Sequence, residues 1–314
     1  MMTQEAKGIG ALRVCAVDIG TNSTRSIVAD VRPPAAVEVI HYDGRITRLG
    51  KGLGTSRTLK PEAIERTTQA AATFVEHGRR LGATAFKLVA TSAARDADNG
   101  DTLLAAIRNA TGLEVQVASG RREAELVLAG VRVGGLLGPG PCLVADVGGG
   151  STELIAHRPH TPPEVRSVNV GAVRLSERFL TTDPPTEEEI AAASSAVEAS
   201  LGPEISAREP VELIGLGGTI TTMVAMLKKL DAYDAAKVHG HTLTLDETEK
   251  LLAETAARRL DERKKIPGLS PARADIIVGG IIIVRAVLRA ARCPAMRVST
   301  TGILHGIALA AAGA

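Results

Sequence analysis

Three glycine-bearing segments each follow an apolar run and carry residue types that bind phosphate. They are residues 18–23 (DIGTNS), 146–153 (DVGGGSTE) and 214–219 (IGLGGT). Small residues at such turns leave backbone N–H groups bare, and these groups can surround phosphate oxygens. We therefore predict a set of phosphate-binding residues: Gly20, Thr21, Asn22, Ser23, Gly148, Gly149, Gly150, Ser151, Gly217, Gly218 and Thr219.

The three segments differ in how strongly they indicate a ligand. Gly-Thr-Asn-Ser is ordinary turn chemistry, so the first segment alone fits a simple hairpin turn equally well. Three consecutive glycines, 148–150, are costly to order, at roughly 0.5–1 kcal/mol each relative to Ala. The second segment therefore predicts a close approach of backbone to ligand. The third precedes a predicted helix, and a helix N-terminus favours anions.

Acidic side chains flank two of these turns. Asp18 stands at the start of the first segment, and Asp146 and Glu153 bracket the second. Carboxylate oxygens are the ligands that Mg²⁺ takes at phosphate sites, directly or through water. We therefore expect Mg²⁺ or Mn²⁺ as cofactor, with Asp18, Asp146 and Glu153 as the metal-binding residues.

The elements that position these residues are duplicated within the chain. Residues 14–29 (VCAVDIGTNSTRSIVA) and 142–157 (CLVADVGGGSTELIAH) align so that Asp18 matches Asp146 and Gly20 matches Gly148. Each copy is an apolar run, a polar turn and a second apolar run, which predicts a β-hairpin with a glycine-bearing tip. Two such hairpins about a domain apart indicate two related domains that face each other across a cleft.

The rest of the chain has an α/β pattern. Residues 134–141 (GGLLGPGP) are rich in helix and strand breakers and are the predicted domain boundary. The further strands are predicted at 37–42, 87–90, 114–117, 164–170 and 211–215. The helices are predicted at 61–81, 101–111, 121–131, 186–202, 219–230, 246–260, from 270 onwards and at 301–312, with cap pairs Thr186/Glu189 and Asp246/Glu249.

Composition excludes several classes of protein. Aromatic residues are only 2% of the chain and net charge is +2, which disfavours a base-stacking or sequence-specific nucleic-acid binder. Cys15, Cys142 and Cys293 are scattered, so we expect reduced thiols. The most apolar stretch, 276–288, is too short for a membrane span, and residues 1–10 lack a signal-peptide core. We expect a cytoplasmic protein with no membrane partner, and a homodimer is left open.

The ordered motifs resemble a known superfamily. DIGTNST, DVGGGSTE and GLGGT are similar to the two phosphate motifs and the adenosine motif of the actin, sugar-kinase and heat-shock-chaperone superfamily. The blocks between them resemble the exopolyphosphatase / guanosine pentaphosphate phosphatase (Ppx/GppA) family: RLGKGL (48–53), TSAARDA (91–97), SGRREAEL (119–126), GAVRL (171–175) and RAD (273–275). This likeness runs from residue 14 to about 306.

The resemblance implies a fold and a domain division. The fold is α/β, with two ribonuclease H-like (actin-like) domains facing each other across an active-site cleft. The first domain comprises residues 1–134 plus about 301–314, and the second comprises 135–300. The chain matches a short, two-domain form, for which we expect a preference for short polyphosphate.

The resemblance also implies roles for matching residues. Glu123 matches the carboxylate that activates the attacking water, and Asp146 and Glu153 match acidic residues that hold Mg²⁺ and water, so these three are the expected catalytic residues. Arg95 matches an arginine that grips phosphate; from the sequence alone, an ion pair with Asp96 or Asp98 is the alternative. We further predict a path for the polyanion formed by Arg25, Arg48, Lys51, Arg121, Arg122 and Arg174.

Two blocks depart from the family pattern. Members usually carry two adjacent Glu after Ser-Gly, whereas here Arg122 precedes Glu123. The C-terminal block usually reads Ser-x-x-Gly-Leu-Arg-Glu-Gly, but residues 299–306 read STTGILHG. A phosphate contact from that block is therefore not expected.

Four functions remain open from the sequence. The first is an exopolyphosphatase that releases terminal orthophosphate from inorganic polyphosphate, and the second is a guanosine pentaphosphate 5′-phosphohydrolase. The third is an actin-like ATP-binding module, and the fourth is a non-catalytic sensor of phosphate ligands. The seven histidines show no metal-ligand spacing, and we interpret His239 and His241 as loop residues.

Overall fold

Two β-sheets, one from each half of the chain, organise the fold. The computed structural model describes residues 11–32, 34–206 and 212–313. The strands in chain order are β1 Leu12–Ile19, β2 Ser23–Arg32, β3 Ala36–Ile46, β4 Ala85–Ala90, β5 Val115–Val117, β6 Cys142–Val147, β7 Thr152–His157, β8 Glu164–Val168, β9 Glu212–Leu216, β10 Thr242–Thr244 and β11 Ala295–Val298.

Helices flank both sheets. In chain order they are α1 Leu53–Ser56, α2 Pro61–Arg80, α3 Ser92–Asp96, α4 Gly100–Thr111, α5 Gly120–Val133, α6 Ala172–Phe179, α7 Glu187–Ser206, α8 Gly218–Leu227, α9 Ala235–Val238, α10 Leu245–Ala256, α11 Leu260–Arg263, α12 Ile277–Ala290 and α13 Ile303–Ala311, with a 3₁₀ turn at Pro271–Arg273. None of the helices in the described ranges is both long enough and apolar enough to cross a bilayer.

The sheet topologies confirm the duplication. The first sheet has the order β3-β2-β1-β4-β5 and the second has the order β10-β11-β9-β6-β7-β8. In each sheet an antiparallel hairpin and a third antiparallel strand are followed by parallel strands, β4 and β5 in the first and β9 and β11 in the second. β10 is an additional edge strand that pairs antiparallel with β11.

The core forms three apolar layers. On β1, Cys15 and Val17 face the outer layer with α2 and α4, while Val14 and Ala16 face the layer between the sheets. Strand side chains alternate between faces, so β1 is buried on both sides and is apolar almost throughout. A third layer covers the second sheet with α7, α8, α10 and α12.

Helices α5 and α13 fill the space between the sheets and touch closely. A Cβ added at Gly130 would lie 1.9 Å from the carbonyl oxygen of Gly302, and one at Gly306 would lie 2.0 Å from that of Leu126. Glycine is required here by close backbone approach. Helix α5 packs on β7 and β8, whereas α13 packs on β1, β2 and β4. The fold thus carries the start of α5 to the end of the second hairpin.

Some predicted boundaries differ from the structure. Helix α10 starts after Thr244, whose hydroxyl accepts from Glu247 N (3.1 Å) while Glu247 bonds back to Thr244 N (2.9 Å). The prediction of Asp246/Glu249 as the cap pair is therefore wrong, because the same spacing occurs two residues earlier in this sequence. This helix ends at Ala256, and α11 is separate.

Other boundary predictions fare differently. The capping pair Thr186/Glu189 is confirmed, with both reciprocal bonds at 3.2 Å. The apolar helix predicted from residue 270 is preceded by the 3₁₀ turn and starts only at Ile277. Val211, predicted to begin a strand, and residues 1–10 lie outside the described residues. We propose the domain division given above, for which the packing of α13 on the first sheet is the main support.

Candidate active site

The two hairpin tips have the same internal geometry. Gly20 N donates to Ser23 O in the first and Gly148 N donates to Ser151 O in the second, both at 3.0 Å. Directly after these bonds, Thr24 and Thr152 begin the cross-strand pairing with Ile19 and Val147. The duplication seen in the sequence therefore extends to individual hydrogen bonds.

The tips also contact each other, which partly corrects the interpretation of the three glycines. A Cβ added at Gly150 would lie 2.7 Å from Ser92 Oγ and 2.8 Å from Thr21 Oγ1, and these two hydroxyls are 2.8 Å apart. A Cβ at Gly149 would meet Thr21 and Asn22 at 3.3 Å. At Gly150 the requirement for glycine comes from packing of the second tip on the first, and not from a ligand.

Neighbouring elements use the carbonyl groups of the second tip. Gly148 O accepts from Ala172 N and Gly149 O accepts from Val173 N, both at 2.9 Å, which ties the tip to the start of α6. Within the described parts of the chain, no hydrogen bond uses the N–H groups of Gly149 and Gly150. The tip therefore keeps its donors for an anion, as a phosphate-binding turn requires.

Two carboxylates stand opposite each other at the base of the second tip. Asp146 on β6 pairs directly with Glu153 on β7, and directly opposed residues of antiparallel strands project on the same face. Burial raises the pKa of Asp146 to about 6. Burial and the charge of Asp146 also raise the pKa of Glu153, although Ser167 Oγ donates to Glu153 Oε1 at 2.8 Å and opposes this.

A third carboxylate comes from the first turn of α5. Ser119 caps this helix by accepting from Arg122 N at 3.2 Å, which fixes Glu123 one turn into the helix beside Glu153. Burial and the nearby charge of Glu153 raise the pKa of Glu123. Arg95 Nη1, anchored at 2.8 Å on Ala118 O, donates to Glu123 Oε2 at 3.1 Å and acts to lower that pKa.

In the first hairpin the cross-strand partner of the acid is a basic residue, whereas in the second hairpin it is another acid. Asp18 pairs across the strands with Arg25, and Arg25 Nε donates to Asp18 Oδ2 at 3.1 Å with a second contact from Nη2. Burial acts to lower the pKa of Arg25, but the charge and hydrogen bond of Asp18, together with the charges of Tyr42 and Asp146, outweigh it and the pKa is raised. The aligned pair in the second hairpin, Asp146 and Glu153, consists of two acids.

The third glycine segment closes the end of β6. Gly217 has φ +101°, and a Cβ there would lie 2.5 Å from Val147 O and 2.8 Å from Asp146 Oδ1. Gly218 begins α8, and a Cβ on it would lie 2.0 Å from Arg273 Nη1. Gly217 thus demands glycine for its conformation and its close approach to backbone, whereas a side chain at Gly218 would displace the end of Arg273.

These elements enclose an open cleft of about 670 Å³ between the two sheets. The predicted site residues on its wall are Asp18, Gly20, Thr21, Asn22, Ser23, Arg25, Glu123, Asp146, Gly148, Gly149, Ser151, Glu153, Gly217, Gly218 and Thr219. Asn22 Nδ2 is buried there with no hydrogen-bond partner among the described residues. An unpaired buried donor on a cleft wall is a natural contact for a phosphate oxygen.

Several residues of the cleft were missed by the sequence analysis. Thr91, Ser92 and Arg273 line it, and Ser167 supports Glu153 from β8. Burial and the charge of Arg25 lower the pKa of Arg273, and both half-buried arginines line the cleft. The block RAD at 273–275 was a signal for Arg273 in the sequence, whereas no local pattern pointed to Ser167.

Of the six basic residues predicted to form a polyanion path, Arg25 alone lines the cleft. Lys51 is exposed. The others are engaged elsewhere: Arg48 with Asp275 (2.8 Å) and Ala272 O (3.2 Å), Arg174 with Asp96 (2.9 Å) and Gly150 O (3.1 Å), and Arg121 and Arg122 with Glu125 (3.3 and 3.2 Å). Exposed ion pairs contribute only about 0–1 kcal/mol and do not exclude a phosphate contact. Arg25 is the one member that lies in the cleft, and a role of the other five in a polyanion path stays a prediction.

Arg95 and Gly150 also stand behind the cleft wall. Arg95 holds Glu123 and lies 3.8 Å from Asp96, so the ion pair weighed as an alternative is present together with a contact to the predicted base. Gly150 packs against the first tip. The structure thus brings together the acids, the glycine turns and Arg25, and it leaves the remaining predicted cations outside.

Comparison with known proteins agrees with this geometry. The model of the Ppx/GppA phosphatase family matches residues 27–313. The chain belongs to this family. It is 37% identical to exopolyphosphatase 2 of Mycobacterium tuberculosis, an alignment that covers 96% of this chain and 99% of the relative.

Solved structures of Ppx/GppA proteins share the fold. The crystal structure of the Aquifex aeolicus family member is similar with a TM-score of 0.81 and 31% identity, covering 96% of this chain and 97% of that one. The exopolyphosphatase from Cytophaga hutchinsonii is similar with a TM-score of 0.85 and 26% identity, covering 94% and 96%. The expected α/β fold of two actin-like halves is thereby confirmed, and so is membership of a phosphatase family.

Proposed function

We propose that this Ppx/GppA family member is an exopolyphosphatase that releases terminal orthophosphate from inorganic polyphosphate with Mg²⁺ or Mn²⁺. One observation carries the proposal: the cleft has an acidic wall and a basic wall. Glu123, Asp146 and Glu153 have raised pKa values, while the half-buried Arg25 and Arg273 both line the cleft. A divalent cation supplies positive charge to the acidic wall, and a phosphate chain supplies negative charge to the basic wall.

The acidic wall fits a hard divalent cation. Asp146 and Glu153 offer carboxylate oxygens on one face of the β6–β7 hairpin. Their raised pKa values show that the ionised forms are disfavoured in the buried site, and the positive charge of a bound ion would stabilise those forms. When bound, the ion would neutralise charge on the phosphate oxygens. Because Asp18 is engaged by Arg25, we propose that it orients this guanidinium and does not ligate the metal directly.

The remaining residues of the site position the substrate and the attacking water. The N–H groups of the second tip and the amide of Asn22 hold phosphate oxygens, and Arg25 and Arg273 balance the charge of the chain. Glu123 orients the water and accepts its proton when its carboxylate is ionised. Burial disfavours that form, and Arg95 together with the positive charge of a bound cation would favour it. Phosphoryl transfer needs mainly such positioning and charge neutralisation.

Direct measurement of phosphate release tests the proposal. The purified full chain is incubated with Mg²⁺ and short polyphosphate, long polyphosphate or guanosine pentaphosphate, and products are resolved by length. We expect orthophosphate and stepwise shortening of polyphosphate, abolished by chelation of the metal. Faster release from guanosine pentaphosphate would replace the substrate assignment, and no release from any of the three would overturn the enzyme assignment. We propose a cytoplasmic location, which the buried, reduced cysteines Cys15, Cys142 and Cys293 support.

A further inference from the structure

Two histidines and an aspartate converge away from the cleft, although the sequence showed no ligand spacing among the histidines. His41 Nε2 lies 3.0 Å and His77 Nδ1 lies 2.6 Å from the same oxygen, Asp43 Oδ2. The ligand atoms of all three lie within 4.8 Å of one another. The side chains remain accessible, with 41%, 25% and 30% of His41, Asp43 and His77 exposed.

Regular elements build this cluster. His41 and Asp43 are two residues apart on β3 and therefore share a face of the sheet. The register of β3 shifts at Ile40, next to His41, which marks a β-bulge where Val28 pairs with His41 and Ala29 pairs with Val39. His77 lies in the last turn of α2, the helix that covers this face. The ligand atoms are thus fixed on a strand and a helix, as a preformed site requires.

We propose that His41, Asp43 and His77 form a binding site for a borderline transition-metal ion such as Zn²⁺. Imidazole nitrogen with one carboxylate is a donor set that suits zinc, copper or nickel, whereas Mg²⁺ prefers oxygen alone. Three protein ligands leave a fourth tetrahedral position for water or a small anion. The ion takes the place of the two hydrogen-bond protons now shared with Asp43 Oδ2, and each imidazole then carries its proton on the other nitrogen.

Neighbouring groups define the site further. Burial and, to a smaller extent, the charge of Asp43 raise the pKa of the Cys15 thiol to about 12, and Cys15 is not among the proposed ligands. Arg45 is held over the ring of Phe74, with its guanidinium carbon 5.7 Å from the ring centre. The site links the edge strand of the first sheet to α2, and none of its ligands lines the cleft. It is therefore independent of the proposed catalytic ion.

Calorimetric titration with ZnCl₂ in excess Mg²⁺ tests the site. The excess Mg²⁺ competes for oxygen-only sites. We expect the wild-type protein to bind one equivalent that is lost in His77→Ala and in His41→Gln. In Asp43→Asn, whose amide oxygen can still accept both hydrogen bonds, affinity should fall at least about tenfold, the lower end of what loss of a supporting partner costs. His160→Asn, an exposed histidine with φ +64° where asparagine is tolerated, is the control and should bind as the wild type does.

A spectroscopic reading separates a metal site from a hydrogen-bond cluster. Co²⁺ replaces zinc, and its visible absorption reports four-coordinate binding in the wild type and in His160→Asn, but not in His77→Ala. Melting temperatures without metal confirm that each variant is folded. The proposal is overturned if no equivalent binds to the wild type, or if the same equivalent survives in both histidine variants. Neither result bears on phosphate release from the cleft.

Discussion

Asp146 on β6 and Glu153 on β7 stand directly opposite each other, at the place where the first hairpin pairs Asp18 with Arg25. Duplicated hairpins with the same tip hydrogen bond thus differ in one cross-strand partner. In the first hairpin this partner neutralises the acid, whereas in the second it adds a negative charge. Among the described residues, Asp146 and Glu153 form no ion pair with a basic side chain, so a bound cation would balance their charge.

Glu153→Gln should stabilise the metal-free protein. The pKa of Glu153 is raised in the folded wild-type protein. The contribution of this group to stability is therefore fully present at low pH and is lost as the pH rises through the folded-state pKa. Above that value the wild type carries buried, facing charges, and the amide removes one while it can still accept from Ser167. We expect a gain on the order of 1–3 kcal/mol in chelator at pH 8, measured by thermal and denaturant unfolding.

Asp18→Asn is the matched control for this prediction. It changes the aligned residue of the first hairpin, where the acid is paired with Arg25. This variant leaves a buried guanidinium without its counter-charge and should lower the melting temperature. A lower stability of Glu153→Gln than of the wild type under the same conditions contradicts our account of the second hairpin.

Affinity for Mg²⁺ should increase with pH. Burial raises the pKa of Asp146 to about 6 and also raises that of Glu153, so both must lose protons before the ion binds. The Mg²⁺ concentration at the midpoint of a binding titration should decrease as the pH is raised from about 5 to about 8, and should then level off. Calorimetry in two buffers of different ionisation enthalpy should show proton release, and an affinity independent of pH would be inconsistent with metal binding at these carboxylates.

Arg273→Gln should weaken substrate binding without unfolding the protein. The half-buried Arg273 lines the cleft together with Arg25, and burial and the charge of Arg25 both lower its pKa. We expect KM for polyphosphate to rise about 10–100-fold, as for the loss of a hydrogen bond to a charged group, with a smaller change in kcat. Arg121→Gln is the control, because Arg121 is exposed and paired with Glu125 outside the cleft. An equal rise of KM in Arg273→Gln and Arg121→Gln would contradict the assignment of Arg273 to the substrate-binding wall of the cleft.

Gly217→Ala should cost stability and activity together. The position has φ +101°, and a Cβ would lie 2.5 Å from Val147 O. Gly240→Ala is the control, because Gly240 has φ +75° with nothing within 4 Å of the added Cβ. The control should lose about 1–2 kcal/mol from backbone conformation alone, and Gly217→Ala should lose clearly more and displace Asp146. Urea unfolding measures stability, and phosphate release measures activity. Similar losses of stability in Gly217→Ala and Gly240→Ala would contradict the prediction, because they would show that the clash at position 217 is relieved.

The sequence predicted well what depends on short stretches of chain. Alternating apolar residues and polar turns defined both hairpins, and Pro61 marked the first residue of α2. Local patterns failed where the sequence offers two possible helix caps. Thr244 and Asp246 both stand three residues before a glutamate. Only the structure, in which the Thr244 hydroxyl accepts from Glu247 N, decided between them.

Partners distant in the chain were not predictable in this way. Arg48 with Asp275, Ser167 with Glu153, and His77 with Asp43 each depend on how sheets and helices pack. For the same reason the positions of the basic residues relative to the cleft were not predictable, because a charge in a sequence does not reveal its ion-pair partner. Asp18, Asp146 and Glu153 were predicted because they flank glycine-bearing turns, whereas the role of Glu123 was implied by the family resemblance of its block.

The most direct test compares Glu123→Gln with Glu125→Gln. Both glutamates lie on α5, but Glu123 is buried beside Arg95 and Glu153, whereas Glu125 pairs with Arg121 and Arg122 outside the cleft. Steady-state phosphate release from short polyphosphate with Mg²⁺ should lose about 10²–10⁴-fold in kcat in Glu123→Gln, with KM nearly unchanged, and remain near wild type in Glu125→Gln. Full activity of Glu123→Gln, or an equal loss in both variants, would contradict the assignment of Glu123 as the residue that activates water.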